Sequence, residues 1–239
     1  MKNIAKKIIK QIPINFTQNQ RYDAQTIKVI NKVCSSTSNC IDIGAHKGEV
    51  LDKILAAAPK GQHFAFEPIP DLFQQMELRY KDMKNVHLSN LALSNKKGEA
   101  SFNYVVTNPS YSGLIKRKYD HKDEKDELIT VQTDLLDNVL SSDYKIDLMK
   151  IDVEGGELLV MEGARRTISQ HKPVIIFEHG LGASDFYGAT PEEVFDLLNE
   201  CGLKVSLMKS WLAGKPAFSM QEFTATYHSN KDYYFIAYP

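Results

Sequence analysis

The 239-residue chain has no long apolar run, no basic excess, no metal-like cysteine spacing and no internal repeat. Each absence excludes a class. No stretch approaches the roughly 20 apolar residues that a membrane-spanning helix needs. A formal net charge of −1 argues against a general nucleic-acid binder, which concentrates basic residues on its binding face. The three cysteines, Cys34, Cys40 and Cys201, suit neither a zinc site nor a disulfide framework, so reduced thiols in a cytoplasmic protein are expected. The opening segment MKNIAKKIIKQIPINF carries no signal-peptide core, because Lys6, Lys7 and Lys10 interrupt its apolar residues. Ile4, Ile8 and Ile9 fall on one side of a short basic helix there, which either packs on the domain or lies on a membrane surface.

What is present is an ordinary globular composition, 43% hydrophobic and 25% charged, on a chain long enough to bury a core without staples. Residues 1–38 read as an N-terminal helical extension, with a helix over 22–36, and 39–239 as one domain. Within that domain short apolar strands alternate with helical patterns: NCIDIG, GEVLDKILAAAP, QHFAFEP, IPDLFQQMELRYKD, NVHLSNLAL. The alternation predicts an α/β fold, a doubly wound and mostly parallel sheet with helices on both faces. LKVSLMK and DYYFIAY read as an antiparallel C-terminal hairpin. ELLVMEGARRTISQ reads as one helix and the polar stretch 107–128 as a long loop, a kind of segment that is often functional. Ligands of such sheets bind beyond the strands' C-terminal ends, where strand order reverses.

The first such end is CIDIGAHKGEV. Gly44 and Gly48 permit a tight turn and a close ligand, but the spacing is not the G-x-G-x-x-G of a pyrophosphate site. An acid, Asp42, at the strand end disfavours phosphate and favours a cation. The next strand ends in FAFEP, placing Glu67 about 20 residues past the glycine turn, where a carboxylate holds ribose hydroxyls. A nucleoside with a cationic substituent fits, and S-adenosylmethionine is such a molecule. Asp42, Gly44, His46, Gly48 and Glu67 are therefore expected to form its site. Asn90, at the third strand's exit, is expected either to bond the adenine or to shape a turn.

The segment LMKIDVEGGE sets Lys150, Asp152, Glu154 and Glu157 at the end of an apolar strand. Such charges need partners, and Lys150 is expected to pair one of the acids. Methyl transfer to an alcohol gains from a positioned base. Asp152, Glu154 and His179 are the catalytic candidates, and Asp152 also borders the cofactor. Ser110, Tyr111 and Ser112 in the long loop, with Glu178 in FEHG, are expected to meet the acceptor. Asp152, Glu154, Glu178 and His179 would also suit a divalent metal, although no spacing requires one.

CIDIGAHKGEV, FAFEP, NLALSNKKGE, ITVQTDLLDNV and above all LMKIDVEGGELLVMEGARRTI together resemble the FkbM family of S-adenosylmethionine-dependent methyltransferases. The resemblance runs from about Asn39 to the C-terminus. It implies a class I methyltransferase (Rossmann-like) fold and O-methylation of a hydroxyl on a sugar, glycan or small natural-product-like acceptor, with no nucleic acid. It also implies cofactor contacts from Asp42, Gly44, Gly48 and Glu67, and places Asp152 and Glu154 near methyl donor and acceptor. Two rival readings remain: a nicotinamide-dependent oxidoreductase on a similar fold, and a non-catalytic nucleotide-binding protein.

Overall fold

The computed structural model describes residues 17–119 and 123–239. The proposed basic helix at residues 1–16 lies outside them. The first described element is α1 (Gln18–Val33), started by a capping box in which Thr17 and Gln20 bond each other's backbone N–H groups. Assigned by sequence to an extension, α1 nevertheless shares a core with the sheet. Its Tyr22, Val29 and Ile30 pack with Cys40, Leu148, Ile176 and Ile236.

The main sheet has seven strands: β1 (Cys40–Ile43), β2 (His63–Phe66), β3 (Val86–Ser89), β7 (Leu148–Ile151), β8 (Val174–Glu178), β9 (Lys204–Leu207) and β10 (Tyr234–Tyr238). Their spatial order is β3-β2-β1-β7-β8-β10-β9. The first five run parallel, and β10 is antiparallel to both of its neighbours. Chain order therefore reverses between β1 and β7, the switch point at which ligands bind. Burial is the reason β1 and β7 stand at the centre: every residue of CIDI and LMKI is buried, which only a strand covered on both faces achieves.

The helices α2 (Glu49–Ala57), α3 (Pro70–Tyr80), α5 (Glu157–Gly163), α6 (Arg165–His171) and α7 (Pro191–Glu200) cross between these strands. A small helix, α4 (Leu136–Val139), precedes β7. The single helix read over 157–170 is split at Ala164 (φ −116°, ψ 11°). The cause is tertiary: the Asp137 carboxylate of α4 accepts from Arg166 and Thr167 N–H and caps a new helix start. β9 and β10 do pair antiparallel, as read. They are not joined by a turn, however, but by α8 (Met208–Leu212) and α9 (Met220–Ser229). The strands β4 (Ala92–Leu93), β5 (Gly98–Val105) and β6 (Asp126–Asp134) leave the main sheet and form a second, three-stranded one. Its hydrophobic face, with Phe102 and Val131, packs on Ile69 and Leu72 beside the switch point. Its long β5–β6 connection returns over the cleft. Among the described residues no helix is long and apolar enough to cross a membrane.

Candidate active site

A cleft of about 1040 Å³ opens at the C-terminal ends of β1, β2, β7 and β8. Its volume is at the upper end for small-molecule sites and leaves room for two ligands side by side. α1 closes one side with Asn19, Tyr22 and Asp23; the loop after β5 closes the other.

At the β1 end, Asp42 lies in register with Lys150 across the β1–β7 pair. It is 1% exposed, and among the described residues neither carboxylate oxygen has a hydrogen-bond partner of ordinary geometry. Burial raises its pKa to about 6; the nearby Lys150 charge and the backbone N–H of Leu51, in the first turn of α2, temper the rise. The turn that follows is pinned to the next strand, since the N–H groups of Gly44 and Ala45 both donate to the Phe66 carbonyl at 3.0 Å. Gly44 has φ +76°, and a Cβ there would come within 1.8 Å of the Asp152 carbonyl oxygen. That is the physical meaning of the first glycine: β1 and β7 meet at their tips.

Glu67 is buried, and its two oxygens accept from His46 N–H at 2.8 Å and Ile69 N–H at 2.9 Å. Burial raises its pKa to about 7 against the pull of those two donors. A carboxylate offers about four acceptor sites, so two remain for a ligand. His46, in a left-handed conformation (φ 52°), lines the cleft, and its Nε2 is buried without a partner. Gly48 does not line the cleft. It starts α2 with φ +79°, and a Cβ there would strike the Tyr80 hydroxyl at 2.3 Å, so its smallness serves helix packing. Asn90 also stays out. Its Nδ2 donates to the carbonyls of Glu67 and Pro68, the turn-shaping role, and the wall nearby is Leu91, Ala92 and Phe102.

The β7 end carries the chemistry-bearing groups. Asp152 Oδ2 accepts from Lys150 Nζ at 2.6 Å and from the Tyr234 hydroxyl at 2.5 Å. Burial alone would raise the Asp152 pKa, but the Lys150 charge and these two bonds outweigh it and hold the group below the usual carboxylate range. Glu178 lies nearby in the cleft. Its burial and the charges of Asp152 and Glu154 hold its proton on well above the ordinary carboxylate pKa. Glu154 occupies a left-handed backbone conformation (φ 59°), uncommon for a residue with a side chain. The buried Glu157 imposes it by accepting from Val153 N–H at 2.9 Å and Gly155 N–H at 3.2 Å. Burial and the neighbouring Asp152 raise the Glu154 pKa to about 8, with Arg117 opposing.

His179 is not part of this group. It is 1% exposed and faces α9, where its ring stacks 4.7 Å from Tyr227 and 6.0 Å from Phe223. Burial lowers its pKa to about 4. It is one residue past Glu178 on an extended chain, so its side chain leaves by the opposite face. With it goes the candidate metal set of Asp152, Glu154, Glu178 and His179. Among the described residues no three His, Cys, Asp or Glu side chains form a metal-binding group.

The long loop supplies residues that the sequence did not single out. Ser110, Tyr111 and Ser112 do line the cleft, but Ser112 is fixed by accepting from Val105 N–H at 2.9 Å. Arg117 reaches inward to Glu154, Nη1 to Oε2 2.6 Å, with its guanidinium 4.6 Å from the Tyr111 ring. In the charge-rich stretch KRKYDHKDEKDE nothing marks that arginine; only the path of the loop does. Tyr187 holds the loop in place by accepting from Ile115 N–H at 3.0 Å. Tyr234 carried a faint signal, a polar-tipped aromatic at the start of a buried strand.

Comparison with known proteins gives four findings. The model of the Methyltransferase FkbM domain matches residues 42–205. The chain is 27% identical over 171 residues to the 2-O-methyltransferase NoeI of Sinorhizobium fredii, covering 65% of this chain and 70% of that protein. It is 29% identical over 171 residues to the hexuronic acid methyltransferase AglP of Haloferax volcanii, covering 70% and 64%. Among solved structures, an FkbM methyltransferase from Methylobacillus flagellatus superposes with a TM-score of 0.52 at 18% identity. That match covers 85% of this chain but only 44% of the other, so this chain spans less than half of its length.

Proposed function

Since the chain belongs to the FkbM methyltransferase family, we propose that it uses S-adenosylmethionine to methylate a hydroxyl group of a sugar. The observation that carries the reading is the donor end of the cleft, where the unpartnered Asp42 carboxylate, the close-packed Gly44 turn and Glu67 converge. This donor set fits the cofactor: buried anions suit a sulfonium, Glu67 has acceptor sites left for a ribose diol, and Leu91, Ala92 and Phe102 offer an apolar face to a base. A pyrophosphate would meet the same acids as like charges. The names of the two curated relatives, one a 2-O-methyltransferase and the other acting on a hexuronic acid, support an oxygen acceptor on a sugar.

When bound, S-adenosylmethionine supplies a methyl group on a sulfonium sulfur. The chain's own residues align the acceptor and manage its proton, and alignment alone contributes roughly 7–11 kcal/mol. Three carboxyl groups face the acceptor end, and their environments assign different roles. Asp152, bonded by Lys150 and Tyr234, is too weak a base. Glu178 keeps its proton and donates toward Asp152. Glu154, with a pKa of about 8, is poised to take the hydroxyl proton near neutral pH.

The test is binding followed by turnover. S-Adenosylhomocysteine is expected to raise the melting temperature and NADH to leave it unmoved; the reverse result overturns the cofactor assignment. Methyl transfer to a panel of monosaccharide glycosides and small alcohols then reads the acceptor class. Lack of transfer to any sugar, with transfer to another alcohol, overturns that part.

A second expectation concerns pH. The raised pKa values of Asp42 and Glu67, about 6 and about 7, mean that these groups bind protons in the empty cleft and lose them as pH rises. A sulfonium favours their ionised forms, whereas the thioether of S-adenosylhomocysteine does not. The ratio of affinities, S-adenosylmethionine over S-adenosylhomocysteine, is therefore expected to rise between about pH 5.5 and 8. Calorimetric titrations of both ligands measure it, and a flat ratio removes the acids from sulfonium binding.

A further inference from the structure

We propose that Arg117 reads a carboxylate on the acceptor, so that the methylated ring is a uronic acid or another carboxylate-bearing sugar. The proposal rests on the methylation reading above and adds the group by which the acceptor is selected. A guanidinium offers two carboxylate-matching edges, one end-on and one formed by Nε with Nη2. In Arg117, Nη1 is committed to Glu154. Nε is buried and has no partner among the described residues. Arg117 lines the cleft, so the side-on edge of its guanidinium stands just behind the cleft wall with Nε still lacking an acceptor. A buried guanidinium N–H without an acceptor costs stability, and a ligand carboxylate removes that cost.

The side chain is also held rather than flexible. The Tyr111 ring lies against its guanidinium, and the loop is fastened on both sides of it. Before it, Ile115 N–H bonds the Tyr187 hydroxyl; after it, the Tyr119 hydroxyl accepts from Asn103 Nδ2 at 2.6 Å. Its partner Glu154 is fixed by an imposed left-handed backbone. Neither half of this pair can relax far, as recognition of a planar anion requires. Lys118 lines the same part of the cleft, adding positive charge at the acceptor end while Asp42 and Glu67 hold the donor end negative. The carboxyls closest to Arg117 do not repel a second anion fully, because burial raises the pKa of Glu154 to about 8 and that of Glu178 well above the usual carboxylate range. Arg117 thus holds the acceptor beside the group that takes its proton.

The experiment compares a p-nitrophenyl glucuronide with the matching glucoside, using full-length protein, as acceptors and as ligands of the S-adenosylhomocysteine complex. The glucuronide is expected to be preferred in kcat/KM by about 10- to 100-fold, the range of a charge-assisted hydrogen-bond pair. Arg117→Gln is expected to collapse that preference mainly through KM, and Arg117→Lys, which keeps the charge but not the fork, to restore only part of it. Cofactor affinity is expected to stay within twofold in both. A loop latch without a recognition role would slow both acceptors equally and leave the ratio unmoved, which overturns the proposal. So does equal binding of glucuronide and glucoside to the wild-type complex. A glucuronide that binds, is weakened by Arg117→Gln, and is not methylated leaves the Arg117 assignment standing and overturns the methylation reading instead.

Discussion

Glu154→Gln is expected to lower kcat by about 10²- to 10⁴-fold, the usual contribution of a positioned general base, while the affinity for S-adenosylhomocysteine changes less than twofold. The side chain keeps its shape, and its amide oxygen can still accept from Arg117, so the loop stays docked. What is lost is a group that binds a proton at the point where the hydroxyl must lose one. The wild-type pH profile gives an independent reading. Glu154 accepts a proton only when ionised, and its pKa is raised to about 8, so kcat is expected to climb through neutral pH and level off above about 8. In the Gln variant that climb disappears. A variant that retains both rate and profile removes Glu154 from the chemistry, and the base must then be sought at Asp152 or Glu178. The choice among the three acids depends on surroundings: two donors on Asp152 leave it weakly basic, and burial, with the charges of Asp152 and Glu154, raises the Glu178 pKa well above the usual carboxylate range.

Gly44→Ala is expected to cost about 3–5 kcal/mol of stability, a value reached only through core-level mechanisms. At that scale a domain of this size melts roughly 10 °C lower. Two contributions add. A side chain at φ +76° costs about 1–2 kcal/mol, and the new Cβ would sit 1.8 Å from the backbone oxygen of Asp152. Backbone cannot rotate away, so the tips of β1 and β7 must part. The bond from Asp152 N–H to the Ile43 carbonyl, 3.0 Å, is strained in the process. Because donor and acceptor groups stand on those two tips, turnover is expected to fall at least about 100-fold. Gly214→Ala is the control. Its φ of +69° is similar, but nothing lies within 4 Å of a Cβ there, so it reports conformational strain alone. Equal melting temperatures for the two variants would dismiss the close approach as the reason for Gly44.

Much of this arrangement was legible in the chain. The alternation of apolar strands with helices gave the parallel sheet, because strands buried on both faces must be apolar throughout. That Asp42, Gly44, His46 and Glu67 converge on one cleft was legible because strand-end acids and turn glycines fall together at spacings set by one strand and one turn. Lys150 was expected to pair an acid, and the strand's burial leaves it no other course. His179 shows where the method stops. Glu178 and His179 are adjacent in sequence, but an extended chain sends them to opposite faces, one into the cleft and one against Tyr227. Asn90 takes the turn-shaping one of its two expected roles, and Gly48 stays out of the cleft for a related reason: a residue at the correct strand end can be spent on holding the loop rather than lining it.

The sequence by itself determined the elements, the sheet's parallel core and the carboxylates at the strand tips, since these follow from local periodicity and from the cost of burying charge. Only the tertiary structure decided which acids are tied up in hydrogen bonds, that His179 packs against Tyr227, and that Arg117 enters the cleft. Those outcomes depend on contacts between segments far apart in the chain. The β5–β6 connection brings Arg117 to Glu154, and β10 brings Tyr234 to Asp152. A proton affinity or a hydrogen bond is set by what stands within a few ångströms, and no pattern along one segment encodes its distant neighbours.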